Sequence, residues 1–248
     1  MQSWHQEYLE ENLNATQRRF FETKPPEELY HRESDPNSVN NLADNPDYRD
    51  VRERMRAANT DWMIKNKDLG FIPEETINDI RGDKNLYDAV RDQSLPIEKI
   101  IHTAQMATLQ PSDHLKELSK RLNDPDPSIR FWAATGFSIS GEKPASMVEL
   151  LLKHRDDKSI AVRTAVAEAL YRYSEKERAL QVLQEVLNKS NTFAKLRVLN
   201  TIEALKPKKL PQDMHAKIEQ LQNFQKNSEQ WYGPGYFIRQ VAISILEK

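Results

Sequence analysis

The stretch "SIRFWAATGF", residues 128–137, decides the fold because three later stretches repeat its pattern. These are "AVRTAVAEAL" (161–170), "KLRVLNTIEAL" (195–205) and "FIRQVAISIL" (237–246). In each one, an apolar residue and an arginine are followed by small and apolar residues. The arginines are Arg130, Arg163, Arg197 and Arg239, separated by 33, 34 and 42 residues. Self-similarity at such a period is the signature of a repeat protein.

An amphipathic segment precedes each of these stretches, so every repeat predicts two helices. The four segments are "DHLKELSKRL", "ASMVELLLKH", "ERALQVLQEVL" and "MHAKIEQLQNF". One helix pair cannot bury its apolar face alone, so neighbouring pairs must stack. The sequence therefore predicts a mainly α fold in which residues 96–248 form an α-solenoid resembling short HEAT repeats, with residues 97–109 as a partial capping unit. A tetratricopeptide array has a similar period, but its Trp-Leu-Gly-Tyr-Ala-Phe spacing is absent.

Composition narrows the classes of function. The 248 residues carry a formal net charge of -2, which predicts no broad attraction to nucleic acid or to an anionic membrane. Cysteine is absent, so the chain has no disulfide, no thiolate metal site and no cysteine nucleophile. No apolar run approaches membrane-spanning length, and we expect no secretory signal in the first 21 residues.

The region before the repeats contains a stretch with a different pattern, "EELYHRESDPNSVNNLADNP" at residues 27–46. Leu29 and Tyr30 predict a short β-strand. Asp35-Pro36 predicts a tight turn, and Asn45 predicts the N-cap of a following helix. A single strand cannot satisfy its own backbone, so we expect its partner strands to lie elsewhere.

A helix is predicted from residue 46 to residue 65. Its apolar positions Val51, Met55, Ala58 and Trp62 recur at helical spacing. Residues 74–95 are polar and weakly patterned, which predicts a linker or wrapping loop with at most one short helix, around Leu86 to Val90. These patterns divide the chain into residues 1–75, a linker at 76–95, and the repeats at 96–248.

Residues 25–63 closely resemble the C-terminal subdomain of type I sulfatases, in particular the heparan N-sulfatase-like branch. The matching motif residues are Glu28, Leu29, Tyr30, Asp35, Pro36, Asn41, Leu42 and Ala43. His31 and Ser38 depart from the family pattern, both at turn-surface positions. The resemblance covers roughly residues 12–75. It implies that this region supplies one strand of a small antiparallel sheet, that a helix packs across that sheet, and that the other strands lie upstream.

The resemblance also implies where the chemistry of the family lies. Type I sulfatases use a formylglycine, made from Cys or Ser in a Cys/Ser-x-Pro-x-Arg motif, and Ca²⁺ beside the sulfate, all in a preceding catalytic domain. In this chain the nearest match, "SLPIEK", has Glu98 where Arg is needed. We therefore expect no catalytic, cofactor-binding or metal-binding residue here, and a partner in the upstream catalytic domain, supplied in cis or in trans. The resemblance further suggests a periplasmic or secreted bacterial protein.

Two functional hypotheses follow. In the first, the chain is the C-terminal part of a sulfuric ester hydrolase, inactive by itself, whose repeats serve as an interaction or substrate-positioning arm. In the second, it is a free-standing repeat adaptor that binds a protein partner through its concave face. The second requires residues 1–75 to fold alone, which an orphan strand argues against.

Other candidate site residues each have a structural interpretation. The six histidines lack metal-ligand spacing, and Asp156-Asp157 is expected to cap a repeat helix rather than bind a metal. The repeat arginines are expected to bond neighbouring turns, although they could line an anion-binding groove. The aromatic residues considered for stacking on a sugar are Trp132, which we expect in the core, and Trp231, Tyr232 and Tyr236 in a Gly/Pro loop. "KPKK" at 206–209 is expected to be a solvated turn.

Overall fold

The structure is a computed structural model that describes residues 2–92, 95–189, 191–224 and 233–247. Every regular element within these ranges is helical, which confirms the mainly α prediction. The chain divides after Lys65 into two compact units. None of the described helices is long and apolar enough to cross a membrane.

The first unit contains three α-helices. They are α1 (Gln2–Leu9), α2 (Ala15–Arg18) and α3 (Arg49–Lys65), with a 3-10 turn at Pro46–Tyr48 before α3. Trp4 of α1 stacks on Phe20 with 4.7 Å between ring centroids and meets Phe21 edge-on at 5.1 Å. Aromatic packing therefore joins α1 to the segment after α2.

The strand predicted at Leu29 and Tyr30 is not formed, and the side chain of Asn41 takes the place of a neighbouring strand. The Leu29 N–H donates to Asn41 Oδ1 at 2.9 Å, and the Leu42 N–H donates to the Leu29 carbonyl at 2.7 Å. Asn41 Oδ1 also accepts the Ala43 N–H at 3.0 Å. An amide side chain carries both donors and an acceptor, so this loop satisfies the Leu29 backbone without an upstream strand.

Helix α3 buries a different face from the one that the apolar pattern predicts. Thr60 and Met63 are buried, and Arg56 forms a two-pronged ion pair with Glu27. In contrast, Met55 and Trp62 are 54% and 59% exposed. Polar contacts to the loop before it, rather than the predicted apolar stripe, set the orientation of this helix.

The second unit is an α-solenoid. Its helices are α4 (Glu74–Arg81), α5 (Leu86–Asp92), α6 (Ile97–Thr108), α7 (Leu115–Arg121), α8 (Pro127–Ile139), α9 (Ser146–Lys153), α10 (Ile160–Arg172), α11 (Lys176–Lys189), α12 (Thr192–Leu205), α13 (Gln212–Leu221) and α14 (Pro234–Leu246). In the described residues, α7/α8, α9/α10, α11/α12 and α13/α14 are the predicted helix pairs. Their second helices, α8, α10, α12 and α14, pack side by side in that order, and α6 packs on α8 at the start of the row.

Short polar side chains cap three of the second helices. Asp126, Ser159 and Asn191 are the N-caps of α8, α10 and α12, and each accepts backbone N–H groups of the first turn. Gly136 of α8 lies where helices approach closely, since a Cβ there would stand 2.6 Å from Leu118 Cδ1. The core between the helix layers is apolar, and Phe137, Leu151 and Leu183 are fully buried.

The described part of the region predicted as a linker contains two helices, of which the second matches the short helix expected around Leu86 to Val90 and the first was not predicted. Residues 74–81 and 86–92 form α4 and α5, and α4 packs against α10 and α12. Glu74 and Glu75 in the first turn and Arg81 in the last turn favour a helix through its dipole. The apolar face is narrow, which explains why the pattern indicated a polar loop. The compact second unit accordingly begins at Asn66, before the predicted linker.

Candidate interaction surface

The segment that leads into α4 is bonded to the first repeat. The Trp132 indole N–H donates to the Phe71 carbonyl at 2.7 Å, and the two rings lie 6.1 Å apart. Ile72, the next residue, is only 4% exposed. Trp132 is half-buried and packs against the core of the repeats as well as against this segment, so it does not stand open for a sugar.

A buried ion pair fixes α4 to the third repeat. Glu75, whose side chain is 3% exposed, pairs with Arg197 of α12. The Arg197 guanidinium also lies 5.0 Å from the centre of the Phe131 ring. Such a pair holds its geometry strongly, because removing either partner leaves an uncompensated charge away from water.

Two open clefts adjoin α4. One, of about 470 Å³, is lined on one side by Ile72 and Thr76 and on the other by the N-terminal ends of α8 and α10. The other, of about 300 Å³, lies between Glu74 and α12 and includes Glu168 and Phe193. The surface of α8, α10 and α12 is therefore wider than the helix that lies on it.

The other repeat arginines bond to turns and carboxylates of their own and adjoining helices. Arg130 donates to both oxygens of Asp157 at 2.8 and 2.9 Å. Arg163 donates to Glu185 at 2.7 Å, and Arg239 donates to the Phe224 carbonyl at 2.8 Å. Their positions are equivalent in sequence, but only Arg197 turns to α4.

The remaining predicted candidates do not assemble into a chemical site. Asp157 accepts the Ser159 N–H at 2.8 Å in the turn before α10, and Asp156 is exposed. The N-cap of α10 is Ser159 rather than either aspartate. No three His, Asp or Glu side chains of the described residues lie where they could hold a metal ion. Trp231 and Tyr232 lie outside the described residues, while Tyr236 is half-buried beside Phe237, with ring centroids 5.5 Å apart.

The "KPKK" turn borders a separate cavity of about 520 Å³ at the end of α12. Lys206 adopts a left-handed conformation with φ 45° and ends α12. Lys206, Lys208 and Lys209 are all exposed, and Ile202 and Ile245 contribute apolar lining.

The sulfatase-like motif residues serve as turn supports. Asp35 accepts the Val39 N–H at 3.0 Å and the Asn40 N–H at 2.7 Å, and these bonds lower the pKa of its carboxyl group. Desolvation and the Glu28 carboxylate raise the pKa of the Tyr30 hydroxyl. Leu29, Asn41, Leu42 and Ala43 form the loop described above, and Pro36 is exposed in its turn.

Known proteins support two parts of this description. The sequence model of the HEAT repeats family matches residues 115–205, which cover α7 to α12, so HEAT repeats are supported for this part of the solenoid. An "Ulvan-active sulfatase" of Formosa agariphila is 33% identical over 90 residues, which is 36% of this chain and 15% of that protein. The chain thus spans well under two thirds of that relative. No solved structure matches the chain.

Sequence patterns missed the contact between α4 and the repeats, although a signal was present. Ile72, Thr76 and Ile80 recur every four residues, and Pro73 with two glutamates marks a helix start. The pairing of Glu75 with Arg197 joins residues 122 positions apart. Only the fold brings such distant positions together.

Proposed function

We propose that this chain is the C-terminal part of a sulfuric ester hydrolase, non-catalytic by itself, and that its HEAT repeats form an interaction or substrate-positioning arm. The partial match to a sulfatase and the motif at residues 25–63 support the connection. The absence of cysteine and of a Ser-x-Pro-x-Arg motif supports a non-catalytic role for this portion. The substrate class of the whole protein, a sulfated glycan, follows from the same relationship.

The observation that carries the proposal is an apolar stripe on α3 that faces solvent. Met55 and Trp62 lie seven residues apart on one helix face, and both are more than half exposed. Ala58, between them, is also exposed. Covering a side chain the size of Met contributes about 1.5–3 kcal/mol. In our proposal a sulfatase catalytic domain supplies that cover, and the first unit is its closing element.

The test is to tag the C-terminus in the source organism and purify the tagged product under native conditions. We expect either a polypeptide much larger than 28.9 kDa or a sulfatase polypeptide that co-purifies with this chain. The purified material should release sulfate from a sulfated glycan, whereas the 248-residue chain made alone should release none. A tagged product of 28.9 kDa with no sulfatase bound to it contradicts the proposal.

One observation favours the alternative, a free-standing HEAT-repeat adaptor that binds a protein partner. The Asn41 clamp satisfies the Leu29 backbone from within the chain, so the loop does not require an upstream strand. Strong amide protection of Leu29 and Val51 in the isolated monomer would favour the adaptor, whereas fast exchange that slows when a sulfatase domain is added would favour the first proposal. Hydrogen exchange of the 248-residue chain measures this directly.

A further inference from the structure

The segment at residues 71–80, here called the docked segment, is held on the repeats by one backbone contact, one apolar contact and one ionic contact. It precedes α6, the first helix of the row, and belongs to none of the four helix pairs. One contact is to its backbone, where the Trp132 N–H bonds the Phe71 carbonyl. The second is apolar, at Ile72, and the third is ionic, at Glu75.

The docked segment fills its binding surface incompletely. Clefts of about 470 and 300 Å³ adjoin it and are open to solvent. Helix α4 has eight residues, about 12 Å in length, since a helix rises 1.5 Å per residue. A longer helix could bury more of the same surface.

From these contacts we propose that α8, α10 and α12 form a docking groove for an amphipathic helical segment of a partner protein. The partner segment carries an aromatic-aliphatic pair followed three residues later by a carboxylate, as Phe71, Ile72 and Glu75 do. The chain's own docked segment occupies the groove until the partner replaces it. The inference rests on the proposed role of the repeats as an interaction arm and names the chemistry of the partner.

Charge favours a peptide over a sulfated glycan as the occupant. Arg197 offers a cation held between Glu75 and the Phe131 ring. The larger cleft carries Lys158 together with the carboxylate of Asp126. The adjoining cleft is lined by the carboxylates of Glu74 and Glu168, which would repel a polyanion. A helix with one inward carboxylate and apolar neighbours matches both the cation and the apolar lining, so recognition follows the helix-in-groove mode.

The test uses the whole chain and a fluorescein-labelled peptide with the sequence of residues 68–82, followed by fluorescence anisotropy. Glu75→Arg places two cations together and releases the docked segment, so we expect its affinity for the peptide to exceed that of the unaltered chain at least tenfold. The matched control is Asp83→Arg, which makes the same charge change at an exposed position just after the docked segment and should bind like the unaltered chain. Ile72→Asp releases the segment by a second, apolar route and should also increase binding.

A charge exchange makes the assignment specific. The chain with Arg197→Glu should not bind the natural peptide, but should bind a peptide in which Glu75 is replaced by Arg. The proposal is overturned if folded Glu75→Arg and Ile72→Asp chains bind the peptide no better than Asp83→Arg, or if the exchanged pair fails to restore binding. Binding of a sulfated oligosaccharide in place of the peptide also overturns it. The sulfatase connection is tested separately by co-purification, so failure here would leave it standing.

Discussion

The two units of the molecule differ in how much of their apolar surface they bury. The HEAT repeats enclose an apolar core, in which the large side chains between the helix layers are fully buried. The first unit instead combines a small aromatic cluster around Trp4 with polar contacts from Asn41, Asp35 and Arg56, and it leaves Met55 and Trp62 exposed. Stacked repeats complete one another's cores. The first unit has no stacked core of this kind. In our proposal another domain therefore covers its exposed residues Met55 and Trp62.

The largest expected effect comes from opening the core of the repeats. Phe137→Ala removes a fully buried aromatic side chain from α8, and such changes cost about 3–5 kcal/mol. We expect the helical melt followed by circular dichroism to move to a markedly lower temperature. Ile139→Ala is the matched control on the same helix, because Ile139 is 52% exposed. Equal losses from both variants would contradict the solenoid core described here.

A smaller effect is expected from the arginine that joins two adjacent repeats. Arg130→Ala removes two bonds to Asp157 and bonds to the carbonyls of Asp124 and Pro125. Bonds to charged groups contribute about 1.5–3 kcal/mol, so urea denaturation should show a loss of that order. Arg172→Ala is the control, since Arg172 forms only an exposed ion pair within one helix and should cost less than about 1 kcal/mol. An Arg130 variant as stable as this control would exclude a role in joining the repeats.

The hydrogen bonds from the Leu29 and Ala43 N–H groups to Asn41 should stabilise the loop of the first unit locally. Asn41→Ala removes the acceptor of the Leu29 and Ala43 N–H groups, and we expect about 1–2 kcal/mol from the lost bonds. Hydrogen exchange at Leu29 should accelerate by roughly the corresponding factor of 5–30. Asn40→Ala changes the neighbouring exposed side chain and should leave exchange at Leu29 unchanged. If both variants exchange alike, the amide of Asn41 is not the partner of the Leu29 backbone.

The contrast between the units also explains what the sequence could predict. The period of the arginines is a regular signal, and together with the amphipathic segment before each arginine it predicted the solenoid and its helix pairs. The prediction of a strand at Leu29 was wrong. Local propensity favours a strand there, but the side-chain amide of Asn41, twelve residues away, accepts the Leu29 N–H instead. The α4 contact escaped prediction because Glu75 and Arg197 meet only after three repeats have stacked. Regular patterns reveal repeats, whereas single long-range polar contacts depend on the completed fold.

The smallest effect that we predict is a pH dependence of the Asp35 turn. Two backbone N–H groups, from Val39 and Asn40, stabilise the charged carboxylate and lower its pKa below the ordinary value of 3.8. Because the folded pKa is depressed, the stabilisation is fully present above the unfolded pKa and is lost as the pH falls through the folded one. The amide NMR shifts of Val39 and Asn40 should therefore titrate together with a midpoint below 3.8. In Asp35→Asn, which keeps the shape but cannot ionise, this titration should disappear; a midpoint at or above 3.8 in the unaltered chain would mean that the two bonds do not hold the charged form.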